Sequence, residues 1–333
     1  MRRIAIINQK GGVGKTTTTV NLGCALARAG HRVLMIDLDP QAHLSLHLGF
    51  DPSEAYQGTY EMLTGSATLD QARRQVADNL WVVGSSIDLA AAEVELVGVV
   101  GREVILDDLI KQHVGTGAHQ YDFLLMDCPP SLGTLTLNGL CAASEVFIPL
   151  QPHYLALQGL SKLLDTVSLV TRRINKGLVV SGIVVCMHDS GTKLCGEVVD
   201  NVYQFLKDSR NTDVPWAGAQ MFDTFIRRNI KLAEAPSHGQ SIFDYAPDSN
   251  GAKDYARLSG DVDGSGRAEL PSIESSVIEE LDPAMTETIR PKPLDDDMRK
   301  RATASTQPDD RNTVLPRDVA SPLNQLAAAH HDS

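Results

Sequence analysis

The sequence predicts an α/β protein built on a doubly wound, mostly parallel sheet that is flanked by helices. Short apolar, β-rich runs recur along the chain, as expected for strands that are buried on both faces. Segments with helical spacing separate these runs. A glycine-rich loop, "KGGVGKT", follows the first run and leads into the first helical segment. This alternation implies parallel strands joined by right-handed crossovers.

The predicted elements follow from the positions of these runs. The predicted strands are "RIAIIN" at 3–8, "RVLMIDLD" at 32–39, "LWVVGSS" at 80–86, "FLLMDCPP" at 123–130, "EVFIPLQP" at 145–152, "LVVSGIVVCM" at 178–187 and "VPWAGAQM" at 214–221. The most regular predicted helices are 16–29, 155–174 and 197–206. In such sheets ligands collect at the carboxyl ends of the strands. Asn8, Asp37 to Pro40 and Asp127 to Pro130 follow three of these strands, and one site built from all three is expected.

Composition divides the chain into a folded domain, 1–258, and a mostly disordered acidic tail, 259–333. The tail contains 7 of the 16 prolines and no Phe, Trp or Tyr, so it has little apolar surface to offset the entropy cost of ordering. Its 15 acidic and 8 basic residues account for −7 of the net charge of −12, which leaves −5 for the domain. This negative net charge makes nucleic-acid binding less expected but does not exclude it, because such binding depends on local patches of positive charge.

The cysteine pattern and the apolar runs predict a soluble, cytoplasmic protein. The five cysteines include no C-x-x-C pair, and most lie in apolar runs that are typical of buried thiols. No apolar run reaches membrane-spanning length, and the N-terminus has no signal-peptide pattern.

The glycine-rich loop is suited to a polyphosphate. Its glycines allow the backbone N–H groups to turn inward, and the positive end of the following helix dipole points at the same place. Lys15 is expected to bridge the outer phosphates and the Thr16 hydroxyl to hold Mg²⁺, with Asp127 holding the ion through water. The loop departs from the usual phosphate-loop template at Gln9, where that template has glycine, and it carries a second lysine, Lys10.

Four separated motifs resemble those of the ParA/Soj-type partition ATPases, the deviant Walker-A branch of the ParA/MinD superfamily. They are "KGGVGKTTT", "VLMIDLDPQ", "DFLLMDCPPSLGTLTLN" and "IKLAEAPSHGQSI", and together they span residues 1–258. The resemblance implies a P-loop NTPase fold, ATP and Mg²⁺ as cofactors, and slow hydrolysis of ATP to ADP and phosphate. The nucleotide-binding loop residues it implies are Lys10, Gly11, Gly12, Val13, Gly14, Lys15, Thr16 and Thr17.

The resemblance also explains the second lysine. In this family the early lysine, here Lys10, reaches across a sandwich dimer to the phosphates of the partner's ATP, while Lys15 serves its own site. Cations supplied in trans to a phosphoryl transfer contribute roughly 10³ to 10⁵ in rate. Lys10 and Lys15 are therefore both predicted to be catalytic, and Lys10 is predicted to couple ATP binding to dimerisation.

Further site residues are carried over from the family motifs. Asp39 matches the position that orients the attacking water, and it joins Thr16 and Asp127 as a predicted metal-site residue. Asp37 lies beside it on the same strand end, and one of the two aspartates can instead cap the following turn, Asp37 being the better candidate for that role. Met187 and Pro236 fall where relatives enclose the adenine, although core and turn roles remain open for them.

A DNA-binding surface is predicted from "FIRRNIKL" at 225–232, which is expected to place Arg227, Arg228 and Lys231 within one or two helical turns. The comparable family segment contributes to sequence-independent DNA binding by the ATP-bound dimer. A second family arginine is missing, because Gly191 stands at its position, but Lys193 lies close by. The predicted DNA-binding residues are therefore Lys193, Arg227, Arg228 and Lys231.

These observations predict an ATP-dependent switch for partitioning chromosomal or plasmid DNA. Its expected partners are a second copy of the chain, nonspecific double-stranded DNA and a ParB-like adaptor that stimulates hydrolysis, with a cytoplasmic, nucleoid-associated location and no membrane partner. The first alternative is a ParA-like ATPase that positions a protein cargo or works in polar localisation. A MinD-like membrane-associated division regulator is less expected, because "SPLNQLAAAHHDS" lacks a basic amphipathic face. A nitrogenase-reductase-like electron donor is disfavoured by the sequence around Cys128 and Cys141.

Overall fold

A computed structural model describes residues 1–51, 57–115 and 120–264. These residues contain nine strands: β1 Arg2–Ile6, β2 Val33–Asp37, β3 Arg73–Ala77, β4 Leu80–Val83, β5 Phe123–Asp127, β6 Glu145–Leu150, β7 Val179–His188, β8 Gln220–Met221 and β9 Ile226–Arg227. The strands form one sheet in the order β3-β4-β2-β5-β1-β6-β7-β8, and β9 also pairs with β7.

The sheet is parallel except at one edge, where β3 runs antiparallel to β4. The predicted doubly wound, mostly parallel sheet is therefore confirmed. Two strands, β3 and β9, were not predicted, because one is polar and the other has only two residues. The predicted strand at 214–221 was largely wrong, since only Gln220 and Met221 pair in the sheet.

Helices cover both faces of the sheet. The described helices are α1 Lys15–Arg28, α2 His43–His47, α3 Thr59–Leu63, α4 Leu69–Ala72, α5 Leu89–Glu95, α6 Ile105–Gly115, α7 Thr134–Ala142, α8 Ala156–Arg173, α9 Lys193–Ser209, α10 Ile230–Glu234, α11 Ile242–Tyr245 and α12 Asn250–Asp263. The three predicted helices correspond to α1, α8 and α9, each within a few residues of the predicted ends. None of the described helices is both long and apolar enough to cross a membrane.

Each central strand contributes side chains to two separate cores. In β2, Leu34 and Ile36 belong to one hydrophobic cluster, whereas Val33 and Met35 belong to the cluster on the opposite face. This alternation is the two-residue period of a strand. It explains why these strands read as continuous apolar runs. Because the strands are parallel, their polar carboxyl ends lie at one edge of the sheet.

The last described helix, α12, belongs to the folded domain. Tyr255, Leu258 and Val262 are buried against α1 and the sheet, and the helix ends at Gly264, whose φ is 84°. The predicted boundary after residue 258 falls inside this helix, so residues 259–263 extend the domain. The rest of the predicted tail, from residue 265 onward, lies outside the described residues.

Candidate functional site

The glycine-rich loop joins the carboxyl end of β1 to the first turn of α1. Gly12 and Gly14 have φ angles of 72° and 94°, which a residue with a Cβ rarely adopts. Gly14 also precedes α1 directly, so no side chain caps the helix, and its first N–H groups are available to an anion. Val13, by contrast, is buried, so its side chain serves the core.

A cavity of about 1080 Å³ opens over this loop. Its lining includes most of the predicted nucleotide-binding residues. They are Gly11, Gly12, Gly14, Lys15, Thr16, Thr17, Met187 and Pro236. Asp39, predicted as a catalytic and metal-site residue, also lines the cavity. Further walls come from the segments Gln41 to Asp51 and Ser237 to Gly239, and from Pro130. The structure therefore brings three strand ends and the "EAPSHG" loop to one site, as the sequence predicted.

The two lysines of the loop lie in different surroundings. Lys15 is only 8 % exposed, and its Nζ donates to the Lys10 carbonyl oxygen at 3.4 Å. Burial lowers the pKa of Lys15, and the carboxylates of Asp127 and Asp39 partly offset that shift. Lys10 is exposed, lies outside the cavity lining, and places its Nζ 3.5 Å from Oε1 of Gln151 on the loop after β6.

Asp127 lies at the centre of the polar site. Its Oδ2 accepts from the Thr16 hydroxyl at 2.7 Å, and its Oδ1 accepts from the Thr19 hydroxyl at 3.2 Å. Burial raises the pKa of Asp127 against these hydrogen bonds. A buried carboxylate with hydroxyl neighbours is a suitable oxygen donor set for a hard cation such as Mg²⁺.

Two more aspartates complete this carboxylate group. Asp37 pairs directly with Asp127 across β2 and β5, and burial together with the Asp127 charge raises its pKa. Asp39 lines the cavity, and its Oδ1 accepts from the Gln41 N–H at 2.9 Å. Within the described residues the carboxylates do not form a ready metal cage. That arrangement suits Mg²⁺, which commonly takes one or two carboxylates and completes its shell with water and substrate phosphates.

Both aspartates cap local backbone, because Asp39 accepts from the Gln41 N–H and Asp37 from the Asp39 N–H, and Asp37 in addition holds α2. Oδ2 of Asp37 accepts from both the N–H and the hydroxyl of Ser45 in α2, the hydroxyl at 2.8 Å. Its Oδ1 accepts from the N–H of Asp39 at 3.1 Å. Asp37 therefore holds α2 and the Asp39 loop in place, while Asp39 faces the cavity.

Two residues were predicted to enclose a base, and both lie on the cavity wall. Met187 has a φ of 53°, an uncommon angle for a non-glycine residue, at the second-last position of β7. Pro236 lies in the single 3₁₀ turn that follows α10. A second cavity of about 450 Å³ shares Gly14, Thr17 and Met187 with the first.

The predicted DNA-binding residues follow the carboxyl ends of β7 and β9, and most of them are engaged in ion pairs. Arg227 lies in β9 rather than on a helix, so the prediction that it shares helical turns with Lys231 was wrong. Its NH2 lies 2.6 Å from Oδ1 of Asp254, whose side chain is only 2 % exposed. Lys231 pairs with Glu234 at 2.8 Å, and Lys193 pairs with Glu197 at 3.6 Å.

Arg228 differs from its neighbour. It is exposed and has no carboxylate partner within the described part of the chain. Its N–H donates to the carbonyl oxygen of His188 at 3.2 Å, which holds it beside the end of β7. Lys193 begins α9 five residues after His188, so both cations lie close to the same strand end.

Sequence reasoning missed Thr19 and Ser45. Thr19 follows Thr16 by three residues, and this spacing places two hydroxyls on one face of a helix. That signal was available in the sequence. Ser45 gave no comparable signal, because its contacts with Asp37 and with the N–H of Ser85, at 2.9 Å, depend on how α2 packs.

Comparison with known proteins identifies relatives that match nearly all of their own length. A protein-family profile described as an AAA domain matches residues 1–180. The sporulation initiation inhibitor protein Soj of Bacillus subtilis is 42% identical over 264 residues, which cover 79% of this chain and 98% of Soj. The chromosome-partitioning ATPase Soj of Treponema pallidum is 44% identical over 262 residues, covering 78% and 96%.

Solved structures share this fold. The structure of cobyrinic acid a,c-diamide synthase from Mycobacterium smegmatis, with a bound ATP analog and magnesium, superposes with a TM-score of 0.65 at 32% identity. That match covers 80% of this chain and 96% of the other.

Proposed function

The chain belongs to the ParA/Soj family of chromosome-partitioning ATPases, and we propose that it acts as an ATP-dependent switch in DNA partition. In this proposal ATP closes a dimer of two copies, the dimer binds nonspecific DNA in the nucleoid, and a ParB-like adaptor stimulates slow hydrolysis and release. One observation carries the proposal. The loop has one lysine buried in its own site and another, Lys10, exposed outside that site.

The proposed nucleotide site uses the elements that line the larger cavity. The N–H groups of Gly11 to Gly14 and the first turn of α1 would hold the phosphates, with Lys15 as their buried counter-charge. We assign Thr16, Asp39 and Asp127 to Mg²⁺, which when bound would neutralise phosphate charge. We assign Met187 and Pro236 to the two sides of the base.

The chain's own residues would then perform three tasks in hydrolysis. Asp39, fixed by the N–H of Gln41 and positioned through Asp37, would orient the attacking water. Lys15 would stabilise charge that develops on the phosphates within one subunit. Lys10, which has no role in its own cavity, would supply the second cation to the other subunit's nucleotide, so the site would be complete only in the dimer.

The DNA-binding part of the proposal rests on the rim near the end of β7. Arg228 is the residue best placed to contact a phosphate directly, because Arg227 is committed to Asp254. The ion pairs of Lys193 and Lys231 are exposed or half-buried, so phosphate oxygens can replace their carboxylate partners at little cost in free energy. If a dimer neutralises about five phosphates, the slope of log K against log salt concentration is near −4.5.

DNA co-sedimentation with ATP, ADP and no nucleotide tests the proposal. We expect the unsubstituted chain to pellet with DNA only with ATP, Lys10→Ala to lose this retention, and Asp39→Ala to remain bound because hydrolysis is blocked. Lys162→Ala, an exposed lysine on α8, is the matched control and should behave like the unsubstituted chain. Equal retention in all three nucleotide states would refute the switch while leaving ATP hydrolysis to be measured separately.

A further inference from the structure

Large apolar side chains are exposed in α5 and on either side of it. Leu89, Ala92 and Leu96 are buried, whereas Glu95 at the end of the helix is exposed and accepts from the Tyr60 hydroxyl of α3 at 3.1 Å. The exposed apolar set has one residue before the helix, one within it and three after it. We name this set the α5 face; it comprises Ile87 at 66% exposure, Val94 at 74%, Val97 at 63%, Val99 at 44% and Val100 at 100%. Contiguous apolar surface of this kind in a water-soluble domain marks an interaction site.

The α5 face is attached to the loop that leads from Asp127 into α7. A Cβ at Gly133, which precedes α7, would clash with Oε1 of Glu93, so the Glu93 carboxylate lies against the backbone there. Leu132, the residue before it, is 42% exposed and extends the apolar surface toward this loop. Pro130, in the same loop, lines the nucleotide cavity.

A second attachment fixes the other end of the α5 face. The side-chain amide of Asn138, a fully buried residue of α7, donates to the carbonyl oxygen of Arg102 at 2.7 Å and accepts from the N–H of Leu106 at 3.1 Å. Residues 93–106 are thus connected to α7 at both ends. A partner bound at the α5 face is therefore linked through these contacts to the loop that contains Pro130 and closes one side of the nucleotide cavity.

Charge around the α5 face indicates the chemistry of its partner. Asp88, Glu93 and Glu95 lie within residues 87–106, and the one basic side chain of this segment, Arg102, is paired with Glu103 at 3.1 Å. Asp107, further along, is already paired with Arg3 and Lys111. Glu93 has no hydrogen-bond donor or cation within the described residues, and Asp88 is exposed. Two copies of the chain meeting through this surface would bring like charges together at a cost. A basic partner would gain from the same field.

We propose that the α5 face is the docking surface for the adaptor, which binds through an amphipathic segment with apolar side chains on one side and lysines or arginines beside them. The apolar side chains cover Val94 and Val97, and a basic side chain pairs with Glu93. This inference rests on the proposed function, because it names the surface through which the ParB-like protein acts. Pairing with Glu93 changes the contact at Gly133, so docking at this surface reaches the loop next to the nucleotide without entering the cavity.

The test uses the full chain, ATP with Mg²⁺, and the purified ParB-like protein encoded in the same genome. Adaptor affinity and adaptor-stimulated ATP turnover are measured for the unsubstituted chain, for Val94→Asp/Val97→Asp and for Glu93→Gln. Leu169→Asp is the matched control, since Leu169 is 52% exposed on the outer side of α8. Basal turnover, thermal unfolding and ATP-dependent dimerisation are measured on every variant.

We expect the double variant to keep basal turnover and dimerisation but to bind the adaptor at least about tenfold more weakly, the scale expected when one interface anchor is removed. Glu93→Gln should weaken adaptor binding at low salt and reduce its salt dependence. Leu169→Asp should match the unsubstituted chain. The single variant Val100→Asp, at a fully exposed position that cannot affect the core, repeats the test if the double variant unfolds.

Three outcomes would overturn the inference. Undiminished stimulation of the double variant would exclude the α5 face and leave the proposed function intact. Loss of ATP-dependent dimerisation with adaptor binding retained would identify a second copy of the chain as the occupant. If the adaptor fails to stimulate even the unsubstituted chain, the adaptor step of the proposed function fails, and this inference fails with it.

Discussion

Arg227 and Arg228 are adjacent in sequence but differ in their surroundings. Asp254 is nearly inaccessible to solvent, and the Arg227 guanidinium supplies its only cation within the described residues, along with hydrogen bonds of 2.6 to 3.2 Å. A buried carboxylate left without its partner is costly. Arg228, in contrast, is exposed and free to meet an external anion. One arginine thus supports the fold and the other suits DNA, a distinction that their shared "RR" dipeptide does not reveal.

We therefore expect Arg227→Ala to lower the free energy of unfolding, because Asp254 remains buried without its guanidinium partner. Arg228→Ala is the matched control and should leave the unfolding free energy unchanged. Chemical denaturation measures both. DNA co-sedimentation is measured under conditions where both variants are folded. Arg228→Ala should bind DNA more weakly than the unsubstituted chain. Its slope of log K against log salt concentration should be shallower by about 0.9 for each phosphate that is no longer neutralised. Equal stability of the two variants would refute a structural role for Arg227.

At the scale of elements, the short helix α2 helps to fix the position of the Asp39 loop relative to the sheet. Five residues cannot stabilise a helix by themselves. Two sets of hydrogen bonds hold α2. The Asp37 carboxylate accepts from the N–H of Ser45. The Ser45 hydroxyl donates to Asp37 and accepts from the N–H of Ser85. Burial of His47 lowers its pKa to about 4, so this histidine is neutral at physiological pH and packs without charge. The position of Asp39 thus depends on contacts made by the helix that follows it.

Ser45→Ala should lower the free energy of unfolding by about 1 to 2 kcal/mol, because the buried N–H of Ser85 loses its acceptor and Asp37 loses a donor. Ser161→Ala, at an exposed position of α8 outside the nucleotide cavity, should change it by less than about 0.5 kcal/mol. ATP turnover measured on the same samples should fall for Ser45→Ala, since the Asp39 loop loses support. A Ser45→Ala variant as stable and as active as the Ser161→Ala control would contradict this account of α2.

At the scale of the whole molecule, α12 continues past the predicted boundary at residue 258 to Asp263. The last turns of α12 make several contacts with distant elements. Arg2 donates to the carbonyl oxygen of Val262, His31 pairs with Asp263 at 3.1 Å, and the N–H of Thr224 donates to Asp261 at 3.1 Å. These contacts join β1 and the β8–β9 region to α12, the last helix in the described residues.

We predict that a chain ending at residue 264 unfolds at the same temperature as the full chain, because α12 is complete and the remaining residues have no aromatic side chains to bury. A chain ending at residue 258 should be less stable by about 3 kcal/mol, since it loses the burial of Val262 and these hydrogen bonds. That loss corresponds to a decrease of roughly 6 to 12 °C in Tm. Calorimetry of the two truncated chains measures the difference, and equal melting temperatures would place the domain boundary at residue 258 after all.

The sequence by itself determined the strand and helix alternation, the phosphate loop and the carboxyl-end site, because these depend on local pattern: two-sided burial of strands, positive φ at Gly12 and Gly14, and hydroxyls spaced along one helix. Only the tertiary structure decided how distant residues pair. It showed that Asp254 engages Arg227, that Ser45 holds Asp37, that Lys10 is exposed outside its own site, and that the apolar side chains of the α5 face are left exposed. Such choices depend on which side chains packing brings together across tens or hundreds of residues, and no local pattern in the sequence encodes that distance.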